Sequence, residues 1–404
     1  MSILENIKNN TGMINSYLIM ALGFSLALST GAVNTIVILM IVLFLIENKY
    51  KKRFATIKGN IFVYLIVGVF VMHLVGLVWS DNLSMAYDTL RRMKKLLFIP
   101  FLMMYVKKEH IFYYFQAFIS GMMISEILTY LIWFDVIPPF MHATNIMPAP
   151  LMKHFDYTVY TAMALFLLLY MLLFKKEEPF FKKVIGGVFA STMLLNLFFS
   201  GGRAGQVGFF ILLFVLVVSY FKGRIFRGIG IFLFFSSTVF YLSYQYLPLF
   251  KTRVNQGIHA INSFQPGVQD TSLGTRFGLN INYYTIFKEN PIIGIGTGDY
   301  IDEYKKINAV SKYITAVQNP HNMYMLMAVQ FGILGLFIFL LPFGYQLYYG
   351  LKIKDNLRVI RIAFPVFFMS IMFVYWYFYA FKPLMLFVFF SSILYVKLVD
   401  NPKT

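Results

Sequence analysis

The residues in this chain best suited to chemistry are two arginines and a histidine, each beside glycines, a helix start or a proline. Arg203 stands in the turn Ser200-Gly201-Gly202-Arg203-Ala204-Gly205. A guanidinium presents a planar fork that meets phosphate oxygens two at a time, and flanking glycines let a ligand approach the backbone closely. The same position also suits a cation snorkelling at a membrane boundary. Arg276 lies one turn into Thr271-Ser272-Leu273-Gly274-Thr275-Arg276-Phe277, whose first residues are good helix caps. A helix start carries partial positive charge and free N–H groups, so a cation added there builds an anion site; for stability it belongs at the other end. A solvated surface arginine is the plain alternative. His321 falls in Gln318-Asn319-Pro320-His321-Asn322-Met323-Tyr324-Met325. Pro320 suits a first helical position. An imidazole of ordinary pKa near 6.5 is a general base if it faces the two cations, and a structural hydrogen-bonder otherwise.

Other polar groups carry weaker signals. Leu273, Phe277, Ile281 and Tyr284 recur at helical spacing and predict an amphipathic helix against the membrane portion, with Arg276, Asn280 and Tyr283 on another face. Asn290-Pro291-Ile292-Ile293-Gly294-Ile295-Gly296-Thr297-Gly298-Asp299-Tyr300 has the glycines of a phosphate loop but lacks the Gly-Lys-Ser/Thr ending, and reads better as a tight structural turn. Asp299, Asp302 and Glu303 suit a hard cation, or the acidic first turn of a short helix. His154 and Asp156 line the same site or simply open a helix. Glu126 and His73 lie inside apolar runs and should face a bundle interior. The absence of cysteine excludes disulfide scaffolds, thiol nucleophiles and thiolate metal sites. No zinc signature and no Gly-x-Ser-x-Gly elbow occurs.

The elements that must position these groups are membrane helices. Of 404 residues, 59% are hydrophobic and 13% charged, where a soluble domain carries about 25% charged residues. Twelve apolar runs are near the length that crosses a bilayer: roughly 13–29, 32–46, 60–79, 95–106, 111–135, 158–174, 183–200, 205–221, 228–243, 323–349, 361–379 and 381–399. The predicted fold is an all-α polytopic bundle: nine spans in 1–243, one large extracytoplasmic loop in 244–322, and three spans in 323–404. The net charge of +18 is read as topology. With the N-terminus inside, 21 of the 35 Lys and Arg fall in cytoplasmic segments; seven of the remaining 14 lie in the long loop, which the positive-inside rule does not govern. Both termini are then cytoplasmic. Arg91, Arg92, Lys94, Lys95 and Arg203 are outside cations that topology leaves unexplained. No internal repeat of broken helices marks a transporter.

The order of these motifs is a pattern in itself: a Gly-flanked Arg in a short outer turn, Ser-Leu-Gly-x-Arg, Asn-Pro-Ile-x-Gly-x-Gly, then Pro-His-Asn-x-Tyr closing one large outer loop. It resembles the O-antigen ligase family of bacterial inner membranes and its wider superfamily of polymerases. The resemblance implies a periplasmic glycosyltransferase that moves a glycan en bloc from undecaprenyl pyrophosphate to a sugar hydroxyl of lipid A–core, without nucleotide sugar, metal or other cofactor. It assigns the diphosphate to Arg203 and Arg276 and catalysis to His321; His154, Tyr283 and Asn322 are expected, from their positions in this sequence, to be neighbouring substrate contacts. The rival readings are an O-antigen polymerase using the same donor, a protein O-oligosaccharyltransferase, and a lipid-glycan flippase without chemistry. The protein O-oligosaccharyltransferases commonly carry an added periplasmic domain, whereas this sequence stops five residues after its last run. The flippase leaves unexplained why polar groups gather on one face, with only His73 and Glu126 midway through spans.

Overall fold

The computed structural model describes residues 3–175, 179–265, 272–314 and 319–397. They form seventeen α-helices and no strand. In chain order these are α1 (Ile3–Leu28), α2 (Thr30–Glu47), α3 (Tyr50–Ile57), α4 (Ile61–Val75), α5 (Leu83–Met93), α6 (Phe98–Met103), α7 (Ile111–Trp133), α8 (His154–Phe174) and α9 (Phe180–Phe199). They continue with α10 (Arg203–Tyr220), α11 (Ile225–Tyr246), α12 (Pro248–Ser263), α13 (Ser272–Glu289), α14 (Tyr300–Val310), α15 (Met323–Lys352), α16 (Arg358–Ile371) and α17 (Phe381–Leu394). Thr271 and Gln318, together with Lys176 and Lys403, two of the 21 cations counted as cytoplasmic, lie outside the described residues.

Among the described residues, nine helices are long and apolar enough to cross a membrane, so the chain is a polytopic helical membrane protein. Three of the twelve expected runs come out shorter. The run 95–106 is the tail of a composite segment in which α5, a 3₁₀ turn at Lys94–Leu97 and α6 follow without a break. The runs 361–379 and 381–399 contain α16 and α17, each 14 residues. At 1.5 Å per residue, such helices fall short of a hydrocarbon core of about 30 Å.

The bundle is built around α8, which is buried nearly all round and packs against α7, α9 and α10. In contrast α11 buries only Gly228 and Ser243. An apolar helix with so little protein around it presents its surface to lipid. His73 and Glu126 are fully buried, as their positions within spans require. Two cations counted towards topology also hold the structure: Arg53 grips Glu47 through Nε and Nη2, and Arg361 pairs with Asp355 while donating to the Leu394 carbonyl.

Glycines set the two joints nearest the site. A Cβ on Gly202 or Gly205 would lie within 2.2 Å of Thr158, so α10 and α8 meet almost backbone to backbone. The glycines beside Arg203 therefore admit a neighbouring helix, where the sequence suggested a ligand. The second joint is a break in α15 at Gly332, whose φ is +63°. The turn after α13 enters that break: Ile295 and Gly296 donate to the Val329 and Gln330 carbonyls, and Ile333 and Leu334 donate back to Pro291 and Ile292. The glycine-rich segment 290–300 is thus a structural turn.

Candidate functional site

A cavity of about 400 Å³ opens where six separate parts of the chain meet. The entry to α8 contributes Lys153, His154 and Phe155. The turn into α10 contributes Gly201, Gly202 and Arg203. Helix α12 supplies Arg253, α13 supplies Ser272 and Arg276, the lead-in to α15 supplies His321, and the segment after α16 supplies Tyr375 and Tyr377. Arg203, Arg276, His321 and His154, separated by up to 167 positions in sequence, share one wall.

The electrostatics of this wall are one-sided. Lys153, Arg203, Arg253 and Arg276 line it, and among the described residues no carboxylate does. Among the described residues, neither Arg203 nor Arg276 makes a side-chain hydrogen bond or ion pair, and Nε of Arg253 is buried without a partner. Three helix starts, those of α8, α10 and α13, lie in the same wall and add their partial positive ends. Gathering cations this way, partly out of water, costs energy that only an anion would recover. Burial chiefly pulls the Arg276 pKa down, and nearby Arg253 adds to this. An arginine so shifted stays charged at neutral pH.

His321 adopts φ +47°, a left-handed conformation uncommon for a residue with a side chain. Its ring packs on Tyr375 with centroids 5.3 Å apart, and its buried Nδ1 has no hydrogen-bond partner among the described residues. Burial first, and then the charge of Arg276, push its pKa down to about 4. The imidazole is therefore neutral at physiological pH and able to accept a proton.

Two of the expected substrate contacts have other work. Asn322 caps α15, its Oδ1 accepting from the Tyr324 and Met325 amides at 3.0 and 3.2 Å. The helix therefore starts at Met323, and Pro320 precedes it rather than opening it. Tyr283 is buried in the core with its ring 4.8 Å from that of Tyr304. Helix α13 buries Gly274, Gly278, Leu279, Asn282, Tyr283 and Ile286, while Ile281 and Tyr284 are exposed, so the packed face is not the predicted one. The acidic cluster is structural as well. Asp299 accepts from the Asp81 and Asn82 amides, Asp302 pairs with Asn82 and Lys305, and Glu303 pairs with Lys306.

Residues 188–340 match the family model described as O-antigen ligase. The match covers under half of the chain and supports the resemblance to that family read from the sequence. The matched segment contains Arg203, Arg253, Arg276 and His321. No curated protein matches the chain. Arg253, a cavity residue that sequence reasoning missed, follows Lys251 in α12 with no motif to single it out. The two tyrosines after α16 were hidden inside a run read as a span.

Proposed function

We propose that this chain is an O-antigen ligase of the bacterial inner membrane, with cytoplasmic termini and a periplasmic active site. The donor is a glycan on undecaprenyl pyrophosphate, and the acceptor is a sugar hydroxyl of lipid A–core. The observation that carries this reading is the cavity in which four cations, with no carboxylate among the described lining residues, surround a space beside a neutral imidazole.

In the proposed step His321 takes the proton of the acceptor hydroxyl as its oxygen attacks the anomeric carbon. The bond from that carbon to the diphosphate breaks, and the electron pair leaves with the lipid diphosphate. Attack opposite the leaving group inverts the anomeric centre. Arg203, Arg253 and Arg276 stabilise the departing charge, each charge-assisted hydrogen bond contributing about 1.5–3 kcal/mol. A positioned base adds roughly 10²–10⁴-fold. The cations occupy the place that a divalent ion would take in a metal-dependent transferase, and the reaction is read as metal-independent. His154, on the cavity wall beside Arg203, is a further contact for the donor.

A silver-stained lipopolysaccharide gel of a deletion strain tests this. The ligase predicts loss of every ladder band, with polymer accumulating on its lipid carrier. Retention of core plus one repeat would instead make the chain a polymerase.

A further inference from the structure

A second chamber, about 580 Å³, adjoins the cation cavity, and the two share Lys153, Phe155 and Tyr375. Tyr375 is the partition: its ring lies 5.3 Å from that of His321 on one side and 5.0 Å from that of Phe155 on the other. Unlike the first cavity, this chamber has a carboxyl group in its wall. Asp156 is only 7% exposed, and its buried Oδ1 has no hydrogen-bond partner among the described residues. A buried acceptor left unmatched costs about 1–3 kcal/mol unless a donor arrives. Around it stand His142, Trp376, and two cations turned towards backbone: Arg92 donates to the Tyr379 carbonyl at 3.1 Å, and Lys382 to the Leu26 carbonyl at 3.0 Å. The Arg92 guanidinium also lies 5.9 Å from the Trp376 ring centre.

A carboxyl oxygen awaiting a donor, a flat indole and a basic rim together suit a sugar that carries acidic substituents. We propose that this chamber binds the acceptor saccharide. One of its hydroxyls donates to Asp156, a ring face lies on Trp376, and phosphate or carboxylate substituents meet Arg92 and Lys382. The reacting hydroxyl then passes Tyr375 to reach His321. Asp156 and Trp376 are binding residues for the acceptor alone, and this assignment rests on the donor-cavity reading above.

The test uses the full chain in nanodiscs, with undecaprenyl-pyrophosphate-linked glycan as donor and lipid A–core, intact or dephosphorylated, as acceptor. Asp156→Ala and Trp376→Ala should each raise the acceptor KM about tenfold, the loss of one buried hydrogen bond or ring contact, and leave the donor KM within about twofold. Arg92→Gln and Lys382→Gln should weaken intact acceptor but have little further effect on dephosphorylated acceptor. An unchanged acceptor KM in Trp376→Ala and Lys382→Gln overturns the inference, even if Asp156→Ala fails to fold. Equal rises in donor and acceptor KM overturn it too. Donor binding that survives Arg203→Ala and Arg276→Ala would show that the donor cavity itself was misassigned, which is a separate result.

Discussion

His321 and its neighbours illustrate how little of a residue's role is visible in its type. The sequence offers an imidazole after a proline; burial and the Arg276 charge make it neutral well below its ordinary range. This has a kinetic consequence with a definite sign. A base must be unprotonated to work, so kcat/KM should stay level on the acid side and fall only as pH drops through about 4. An imidazole of ordinary pKa would already lose roughly tenfold per pH unit below 6.5. His321→Ala should abolish transfer while lipid-diphosphate binding survives, because the arginines are untouched. A wild-type acid limb near 6.5, or transfer at the wild-type rate by the alanine variant, would remove His321 from the mechanism. At the same scale Arg203, Arg276 and His154 were legible as candidates, whereas Arg253 was not. Nothing local to Lys251-Thr252-Arg253 says which cation faces the cavity.

At the scale of elements, the position of Arg203 is a packing result. Helix α10 is held against α8 because Gly202 and Gly205 leave no atom between their backbones and Thr158. Adding one methyl at Gly205 must push the helices apart, since its Cβ would sit 2.2 Å from the Thr158 carbonyl. Overpacking of this kind costs about 1–3 kcal/mol. Gly205→Ala should therefore lower the melting temperature of the purified protein and reduce transfer, by displacing Arg203 within the cavity wall. Gly187→Ala in α9, where a new Cβ meets nothing within 4 Å, is the matched control and should be neutral or slightly stabilising. Similar melting curves for both variants would mean that the close approach is not needed. The glycines of 290–300 were legible as a turn. Their partner, the break in α15 at Gly332, was not, since a lone glycine in an apolar run predicts no particular neighbour.

For the whole molecule, the charge distribution and the absence of cysteine supply their own experiment. Every cysteine introduced into this chain will be the only one. Ile146→Cys, exposed in the segment between α7 and α8, should react with a membrane-impermeant maleimide added to spheroplasts. Lys222→Cys, after α10, should react only once the membrane is opened. The reverse pattern would invert the orientation and carry the cavity to the other face.

Composition and hydropathy were enough to establish a helical bundle in a bilayer, because lipid leaves the backbone few options and apolar length is read locally. Motif order was enough to suggest the family, and charge counting to suggest an orientation. What tertiary structure alone decided is which groups meet: that Arg253, Tyr375 and Tyr377 join the cavity, that Tyr283 and Asn322 do not, and that Asp156 faces a chamber of its own. Helical periodicity says which residues share a face. Which face turns inward depends on contacts between segments more than a hundred residues apart, and no local window of sequence contains them.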